Sequence, residues 1–467
     1  MPVKKIQFDV VVVGAGVAGC GAAFGLAEKG FQVGVIEKLD PMPESIKGEL
    51  LQPGGVASLQ KLGLEDCLLD IDAQPVYGFA VVEGGRERVL PYPSPWGGGR
   101  ANEHAGLGVE GRSFHHHRLV KKMRARVRQH SQITWISGSV RDLLMEEDRV
   151  VGAVCKTSDG EMAEISASLT VMAGGRSRKL LERLGVTVKP EKAARSIGVE
   201  VRGGSLPHSH HGHVFLLHPS PALGYQISSD CVRLLIDVPH ELQLSQKAGL
   251  MEYVTKTVGP QLPESLQPAL MAAMEEGQYQ TMQSLVLPPM APNIEGVVSL
   301  GDALSMRHPL TGGGMTVALN DAFCLVDSIT SEAIAQYKAQ RRAIRSFYRK
   351  REPLAATVDM LSGALYHIFR EDQDGAGYMR DAVMEYWQRG GAAVDGPMSL
   401  LAGLSPSPYR LLRHYSAVTW YGALNQLTSE PSSHHSLGRL GNSLSLGWEA
   451  VRTMAPHLPR AVRLFTL

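Results

Sequence analysis

The chain opens on a nearly continuous apolar run, Phe8-Asp9-Val10-Val11-Val12-Val13, which suits a parallel strand covered on both faces better than a half-exposed one. Small, helix-compatible residues follow from Cys20 to Lys29, and a second apolar strand, Gln32 to Ile36, ends at Glu37. From Val76 to about Pro93 the rhythm becomes alternating, around a turn at Gly84-Gly85, which predicts an antiparallel hairpin outside the first unit. Strands are predicted at Ile133 to Ile136, Val150 to Lys156 and Ser168 to Met172. Shorter ones follow at Ser196 to Arg202, His213 to His218, Gly224 to Ile227 and Cys231 to Val238. Helical spacing marks Leu119 to Arg128, Leu242 to Val258, Ser265 to Glu276 and, after a strand at Val297 to Leu300, Asn320 to Ile344. Beyond that only helical blocks are predicted, near Leu354 to Phe369, Gly377 to Arg389, Pro397 to Leu404 and Tyr409 to Gln426. The last segment, Leu437 to Leu467, sets Leu440, Trp448 and Phe465 against Arg439, Arg452 and Arg460. This basic amphipathic pattern suits either packing on its own domain or interfacial membrane attachment.

Composition narrows the function. The 467 residues fit two or three domains, and 44% apolar content with mean hydropathy −0.07 describes a water-soluble globular chain. With 47 basic against 46 acidic side chains the net charge is +1, so no nucleic-acid footprint is expected. Five scattered cysteines with no CxxC argue for isolated thiols in a reducing compartment. The adjacent His115, His116 and His117 point in different directions on any regular element, so no metal site is expected. No window holds eighteen uninterrupted apolar residues, and the expected location is cytoplasmic, with the amphipathic tail as a candidate peripheral membrane contact.

Two glycine-rich stretches carry the chemistry. Gly14-Ala15-Gly16-Val17-Ala18-Gly19 follows the first strand and opens a helix, and Glu37 ends the next strand at the spacing of a ribose-binding acid. This is a dinucleotide fingerprint in its proper context, without separating NAD from FAD. The second stretch runs from Leu300 to Leu319 through Asp302, Pro309, Leu310 and the run Gly312-Gly313-Gly314-Met315 into a helix. Glycines there would bring backbone N–H groups at a helix N-terminus against an anionic or flavin-like ligand. Arg112, ahead of the Leu119 to Arg128 helix, suits either a phosphate contact or a solvated surface.

Gly48-Glu49-Leu50-Leu51-Gln52-Pro53-Gly54-Gly55, Gly111-Arg112-Ser113-Phe114-His115-His116 and Gly301-Asp302-Ala303 with Met306-Arg307-His308-Pro309-Leu310-Thr311-Gly312-Gly313-Gly314-Met315-Thr316-Val317-Ala318 together closely resemble the squalene epoxidases, within the single-component flavoprotein monooxygenases. Gly390-Gly391 to Pro408 is similar to the helical C-terminal part of that family. The resemblance implies an α/β fold of para-hydroxybenzoate hydroxylase-like architecture. A Rossmann-like FAD domain would span 1–75, 112–185 and 286–345, an antiparallel-sheet substrate domain 76–111 and 186–285, and a helical region 346–467. It implies bound FAD, electrons from NADPH or NADH directly or through a flavin-reducing partner, an apolar substrate and O₂. A C4a-hydroperoxide of the flavin would then transfer one oxygen to an isoprenoid alkene without a proton-transfer triad. The cofactor set it implies is Gly14, Ala15, Gly16, Gly19, Glu37, Lys38, Arg112, Val140, Asp302, Pro309 and Gly312, with Gly313, Gly314 and Met315 positioning the flavin. For the substrate it implies Leu51, Gln52, Phe79, Pro309 and Leu310.

Two positions depart from the family pattern. Gly174-Gly175 stands where an Asp-Gly pair is common, which puts the nicotinamide contact in doubt. Phe79 stands where tyrosine commonly faces the glutamine at Gln52, keeping an apolar wall but losing a hydroxyl hydrogen bond. Oxygenation of an aromatic compound and flavin-dependent reduction of a prenyl chain are the enzymatic alternatives, and a flavin or lipid carrier is the non-enzymatic one.

Overall fold

Val10, Val11 and Val12 are fully buried because their strand, Lys4–Val13, has a neighbour on each edge and a layer on each face. In this computed structural model, which describes residues 4–44, 46, 48–93, 109–176, 179–187, 189, 191–238, 242, 247–369 and 376–428, that strand pairs in parallel with Val33–Glu37 on one side and Met162–Met172 on the other. Ile133–Glu146 and Val297–Ser299 extend the parallel sheet at its two edges. The strands at 133 and 162 run longer than their apolar cores predict. Their outer halves pair antiparallel with Arg149–Thr157, which lets half-exposed residues take strand geometry. The Val17–Glu28 and Gly314–Ser328 helices pack on each other against this sheet, their small residues fused into one core.

A second sheet of seven strands holds Tyr279–Val286, Glu191–Arg202, Cys231–Val238, Ala222–Ser228, Gly212–Phe215, Gly78–Glu83 and Arg86–Pro91, in that order. Its neighbours run antiparallel except Gly212–Phe215 with Gly78–Glu83. One face buries Ile197, Leu234 and Ile236 against short helices from 247 to 275, and the other packs Leu223 and Leu235 toward the C-terminal helices. A small third sheet, Leu50–Leu51, Gly111–Ser113 and Gln74–Val76, lies in the chain between the two large sheets' segments.

The helix expected over Asn320 to Ile344 is two helices and the start of a third. Gly314–Ser328 ends at Ile329, where the Thr330 hydroxyl accepts the Ala333 N–H at 3.2 Å and starts the short Ser331–Ala335 helix; Tyr337–Phe369 then runs for 33 residues, through Pro353. A cap of this kind interrupts a helix without disturbing the apolar period. The basic amphipathic segment Leu437 to Leu467 lies outside the described residues, as do Ser45 and Lys47 of the polar loop before Glu49. Among the described residues no helix is long and apolar enough to cross a membrane.

One buried ion pair ties the Leu50–Leu51 segment of the small third sheet to the seven-stranded sheet. Glu49, entering the Leu50–Leu51 strand, takes Arg233 of the seven-stranded sheet in bidentate geometry, Nε to Oε2 at 2.7 Å and Nη2 to Oε1 at 2.9 Å, and each residue is only 2% exposed. Glu200 adds a third contact to Arg233 at 2.9 Å. Burial works against the Arg233 charge, but the bonded Glu49 carboxylate outweighs it and holds the guanidinium above its ordinary value. Removing one partner strands a buried charge, so Arg233→Met should cost about 3–5 kcal/mol in urea unfolding. A loss below about 1 kcal/mol would show that the pair is not the tie described here.

Candidate active site

The first glycine motif owes its shape to crowding. Gly14 sits at φ +100°, where a Cβ would meet Ala173 O at 2.7 Å, and a Cβ on Gly19 would lie 1.9 Å from Gly14 O. Those two glycines let strand and helix touch. Gly16 differs, since a Cβ there meets nothing within 4 Å; it is the N-cap of the Val17–Glu28 helix, which has no side-chain cap and no acid in its first turn. Its N-terminal N–H groups therefore face open space with no carboxylate to satisfy them.

The second motif makes the same kind of end. Gly301 takes φ +56° and Gly312 φ +58°, and a Cβ on Gly312 would lie 2.8 Å from Leu50 Cδ2. Gly314 again has open space, at the start of a helix without side-chain cap or acidic first turn. Both helix ends, with Asp302 and Met315, line a single cavity of about 350 Å³. Its other wall comes from the substrate sheet and is apolar at Leu223, Leu235, Met282 and Leu285, with Tyr225 among them. The cavity thus lies between an anion-favouring floor and an oily roof.

At the far end of the first motif, Glu37 is buried and held by backbone donors. Its Oε2 accepts the Ala15 N–H and its Oε1 the Leu39 N–H, each at 2.7 Å. Arg124, absent from the sequence reading, holds this corner: Nε donates to Ala15 O at 2.9 Å, Nη1 to Leu39 O at 2.6 Å, and Nη2 lies 3.3 Å from Glu37 Oε2. The available signal was an arginine at apolar spacing among Val120, Met123 and Val127. Under the second motif, Gly301 N–H donates to Asp321, which is paired at 2.7 Å with the buried Arg351. Arg307 binds Asp359 at 2.6 Å and the Ser305 hydroxyl at 2.9 Å. These charges brace the loop, Arg307 from the cavity's edge and Asp321 with Arg351 from the buried side, and the sequence reading missed them.

Other expected residues fall elsewhere. Lys38 is exposed, Val140 is half-buried on Ile133–Glu146, and neither lines the cavity. Arg112 also stays off it, turned toward Glu110 and Gly111 O. Of the substrate set only Pro309 lines the cavity. Leu51 is replaced by Leu50, because adjacent strand residues face opposite ways: Leu50 borders the cavity while Leu51 packs into the cofactor-domain core. Leu310 is buried in the core shared with the C-terminal helices. Gln52 is fully buried, donating to Thr311 O at 2.7 Å and accepting from the Tyr92 hydroxyl. Phe79 packs edge-on against the Tyr92 ring, 6.4 Å between centroids. The hydroxyl bond expected to be lost with phenylalanine at 79 is therefore made from the neighbouring strand's end.

His116 lines the cavity and its Nδ1 lies 3.0 Å from Gly48 O; burial pushes its pKa down, so it stays neutral. No group of three metal-binding side chains occurs among the described residues. Gly175, at φ +61°, and Arg176 stand at the cavity, while a Cβ on Gly174 would meet only Val13 O at 3.9 Å. Packing leaves room for the carboxylate that is missing there.

Two uncapped helix ends with open glycines, an ordered acid beyond the first, and one continuous cleft fit an extended dinucleotide with a flat ring at one end. Sequence comparison matches residues 166–438 to the squalene epoxidase family, 9–45 to FAD dependent oxidoreductases and 58–206 to an FAD binding domain. Squalene epoxidase 3 of Arabidopsis thaliana is 40% identical over 433 residues, covering 91% of this chain and 80% of its own length. The chain belongs to the squalene epoxidase family. A squalene epoxidase of Aspergillus fumigatus is 37% identical over 89% of this chain and 86% of its own, and the squalene monooxygenase of Mus musculus 35% over 91% and 73%. The protein is accordingly an FAD-dependent monooxygenase. The fold is that of flavoproteins: p-nitrophenol 4-monooxygenase from Pseudomonas putida superposes with TM-score 0.67 at 17% identity, covering 86% of this chain and 99% of its own. The flavin-dependent brominase Bmp2 does so with TM-score 0.67 at 18%, covering 89% and 99%.

Because Gly19 has no room for a side chain, Gly19→Ala should overpack the turn by about 1–3 kcal/mol and weaken FAD binding about 10- to 100-fold, read by flavin fluorescence titration. Gly377→Ala, with nothing within 4 Å, serves as the neutral control. Equal affinities would overturn the crowding argument.

Proposed function

We propose that the protein epoxidises an isoprenoid alkene, either squalene or the prenyl chain of a terpenoid-modified metabolite, with electrons from NADPH or NADH delivered directly or through a reductase. The observation that carries this reading is the apolar roof of Leu223, Leu235, Met282 and Leu285 facing the glycine-lined helix end across one cavity. Gly14, Gly16 and Gly19 would hold the FAD pyrophosphate, Glu37 the adenosine ribose, Asp302 the ribityl side, and Gly312 to Met315 the ring. Once reduced and exposed to O₂, bound FAD supplies an electrophilic oxygen atom. The chain's own residues then have three tasks. Backbone N–H groups at Gly314 and Met315 bind and orient the ring, the aliphatic roof holds the alkene against it, and its apolar side chains exclude water from the reacting face. None of these requires an acid–base triad, and alkene epoxidation leaves no proton on the product.

Peripheral membrane contact fits the exposed stripe of Tyr409, Arg413, Ser416 and Trp420 on the Pro408–Thr428 helix, spaced for one face. Such a surface would deliver an apolar substrate from a lipid phase.

Incubation of the FAD-loaded protein with squalene, reductant and ¹⁸O₂ should give an epoxide carrying one label, measured by mass spectrometry. With an aromatic compound offered alongside squalene, label in the aromatic product and no squalene epoxide would support the aromatic hydroxylase instead. A saturated product without label would sink both oxygenase readings.

A further inference from the structure

His308 lines the cavity next to Pro309, and it is 4% exposed. Its Nδ1 accepts the Leu310 N–H at 3.3 Å, capping the Pro309–Thr311 turn, and its carbonyl accepts the Ser362 hydroxyl at 2.8 Å. An Nδ1 used as acceptor puts the ring proton on Nε2. That nitrogen faces Asp237 Oδ1 at 3.6 Å, and neither atom has a hydrogen-bond partner among the described residues. Asp237 is itself 4% exposed, on the Cys231–Val238 strand of the substrate sheet, and its Oδ2 accepts the Tyr366 hydroxyl at 3.1 Å. The Tyr366 ring, from the Tyr337–Phe369 helix, stacks on the His308 ring with centroids 3.8 Å apart and planes 24° from parallel.

Three parts of the molecule therefore meet at one buried carboxylate: the loop bearing the flavin-positioning glycines, the roof of the substrate cavity, and the long C-terminal helix. An unpartnered buried carboxylate is costly, so the fold keeps Asp237 only where donors converge on it. Neither His308 nitrogen is free to take a proton from a bound molecule, which argues against a general-base role.

We propose that Asp237 is a positioning residue that, through the Nε2–H tautomer of His308, sets the distance between the Pro309–Gly314 loop and the substrate sheet. The spacing decides whether the alkene lies close enough to the reacting oxygen, and this consequence rests on the epoxidase reading above. Asparagine can replace Nδ1 of His308 and keep the cap on Leu310 while losing the approach to Asp237. Glutamine places a donor near the Nε2 position. His308→Asn should bind FAD within about twofold of the parent yet form about tenfold less epoxide per reductant consumed, the remaining electrons appearing as hydrogen peroxide. His308→Gln should keep most of the coupling, and Asp237→Asn should behave as His308→Asn. Tyr366→Phe, which removes one hydroxyl, substitutes for Asp237→Asn should that variant not fold, and should uncouple in the same direction.

Epoxide yield undiminished in His308→Asn, equal uncoupling in His308→Gln, or loss of FAD binding in His308→Asn would each overturn the inference. A second readout does not depend on turnover. In ¹⁵N-histidine-labelled parent protein, His308 should show a bare Nδ1 and a protonated Nε2, and Asp237→Asn or Tyr366→Phe should shift that pattern. A parent spectrum with the proton on Nδ1 would defeat the positioning claim whatever the substrate proves to be, whereas a parent that makes no epoxide but shows the expected tautomer would defeat only the substrate reading.

Discussion

The buried pair of Glu49 and Arg233 is the constraint on which the rest depends. Glu49 lies one residue before the Leu50–Leu51 strand, and that strand's alternation decides which leucine borders the cavity. Arg233 lies on the strand that carries Leu235 to the same cavity. Fixing one side chain to the other therefore fixes Leu50 relative to the roof. A pair of this kind gains little net stability over a well-packed apolar contact, but it tolerates little displacement, because a shift leaves two charges without partners and out of water. Registry is the reason such a pair suits a site whose two walls come from different sheets.

The loop from Gly301 to Gly314 is held in the same style. Its glycines bring bare backbone to the cavity, and the loop is held by Asp321 with Arg351 and by Arg307 with Asp359. Cofactor contact needs bare backbone, and bare backbone is floppy unless something else orders it. Arg124 plays this part for the first glycine motif, binding carbonyls on either side of Glu37. In each motif the residues at the helix end are small, and buried arginines one layer away hold the motif.

That division explains what could be read in the chain beforehand. Gly14 to Gly19 and the Leu300 to Leu319 stretch were legible because tight strand-to-helix turns force glycine in a fixed order along the chain. The parallel strands were legible from their unbroken apolar runs, as at Val10 to Val13. Arg124, Arg351 and Arg233 were not, since each has its partner more than twenty residues away or in another sheet, and a lone arginine in an apolar stretch looks the same whether it is buried or snorkels to water. Leu51 was chosen over Leu50 because a two-residue strand is too short for its face to be assigned from alternation. Tyr92 was missed for a related reason: only the hairpin register, Gly78 opposite Pro91, shows that its hydroxyl can reach Gln52 in place of a residue at 79. The break at Thr330 was hidden because capping changes the backbone without changing the apolar period.

The chemistry assigned to the cavity follows from its asymmetry. A floor of free N–H groups favours an electron-rich ring edge, and a roof of aliphatic side chains favours an alkene, so the reacting atoms are brought together by two kinds of solvation within one cleft. A crystal structure of the protein with FAD and an unreactive alkene analogue of squalene tests this most directly. The flavin ring should lie beside Gly312 to Met315, with the double bond between that ring and Leu223, Leu235 and Met282. An alkene bound outside this cavity, or a flavin ring turned away from Gly314, would contradict it.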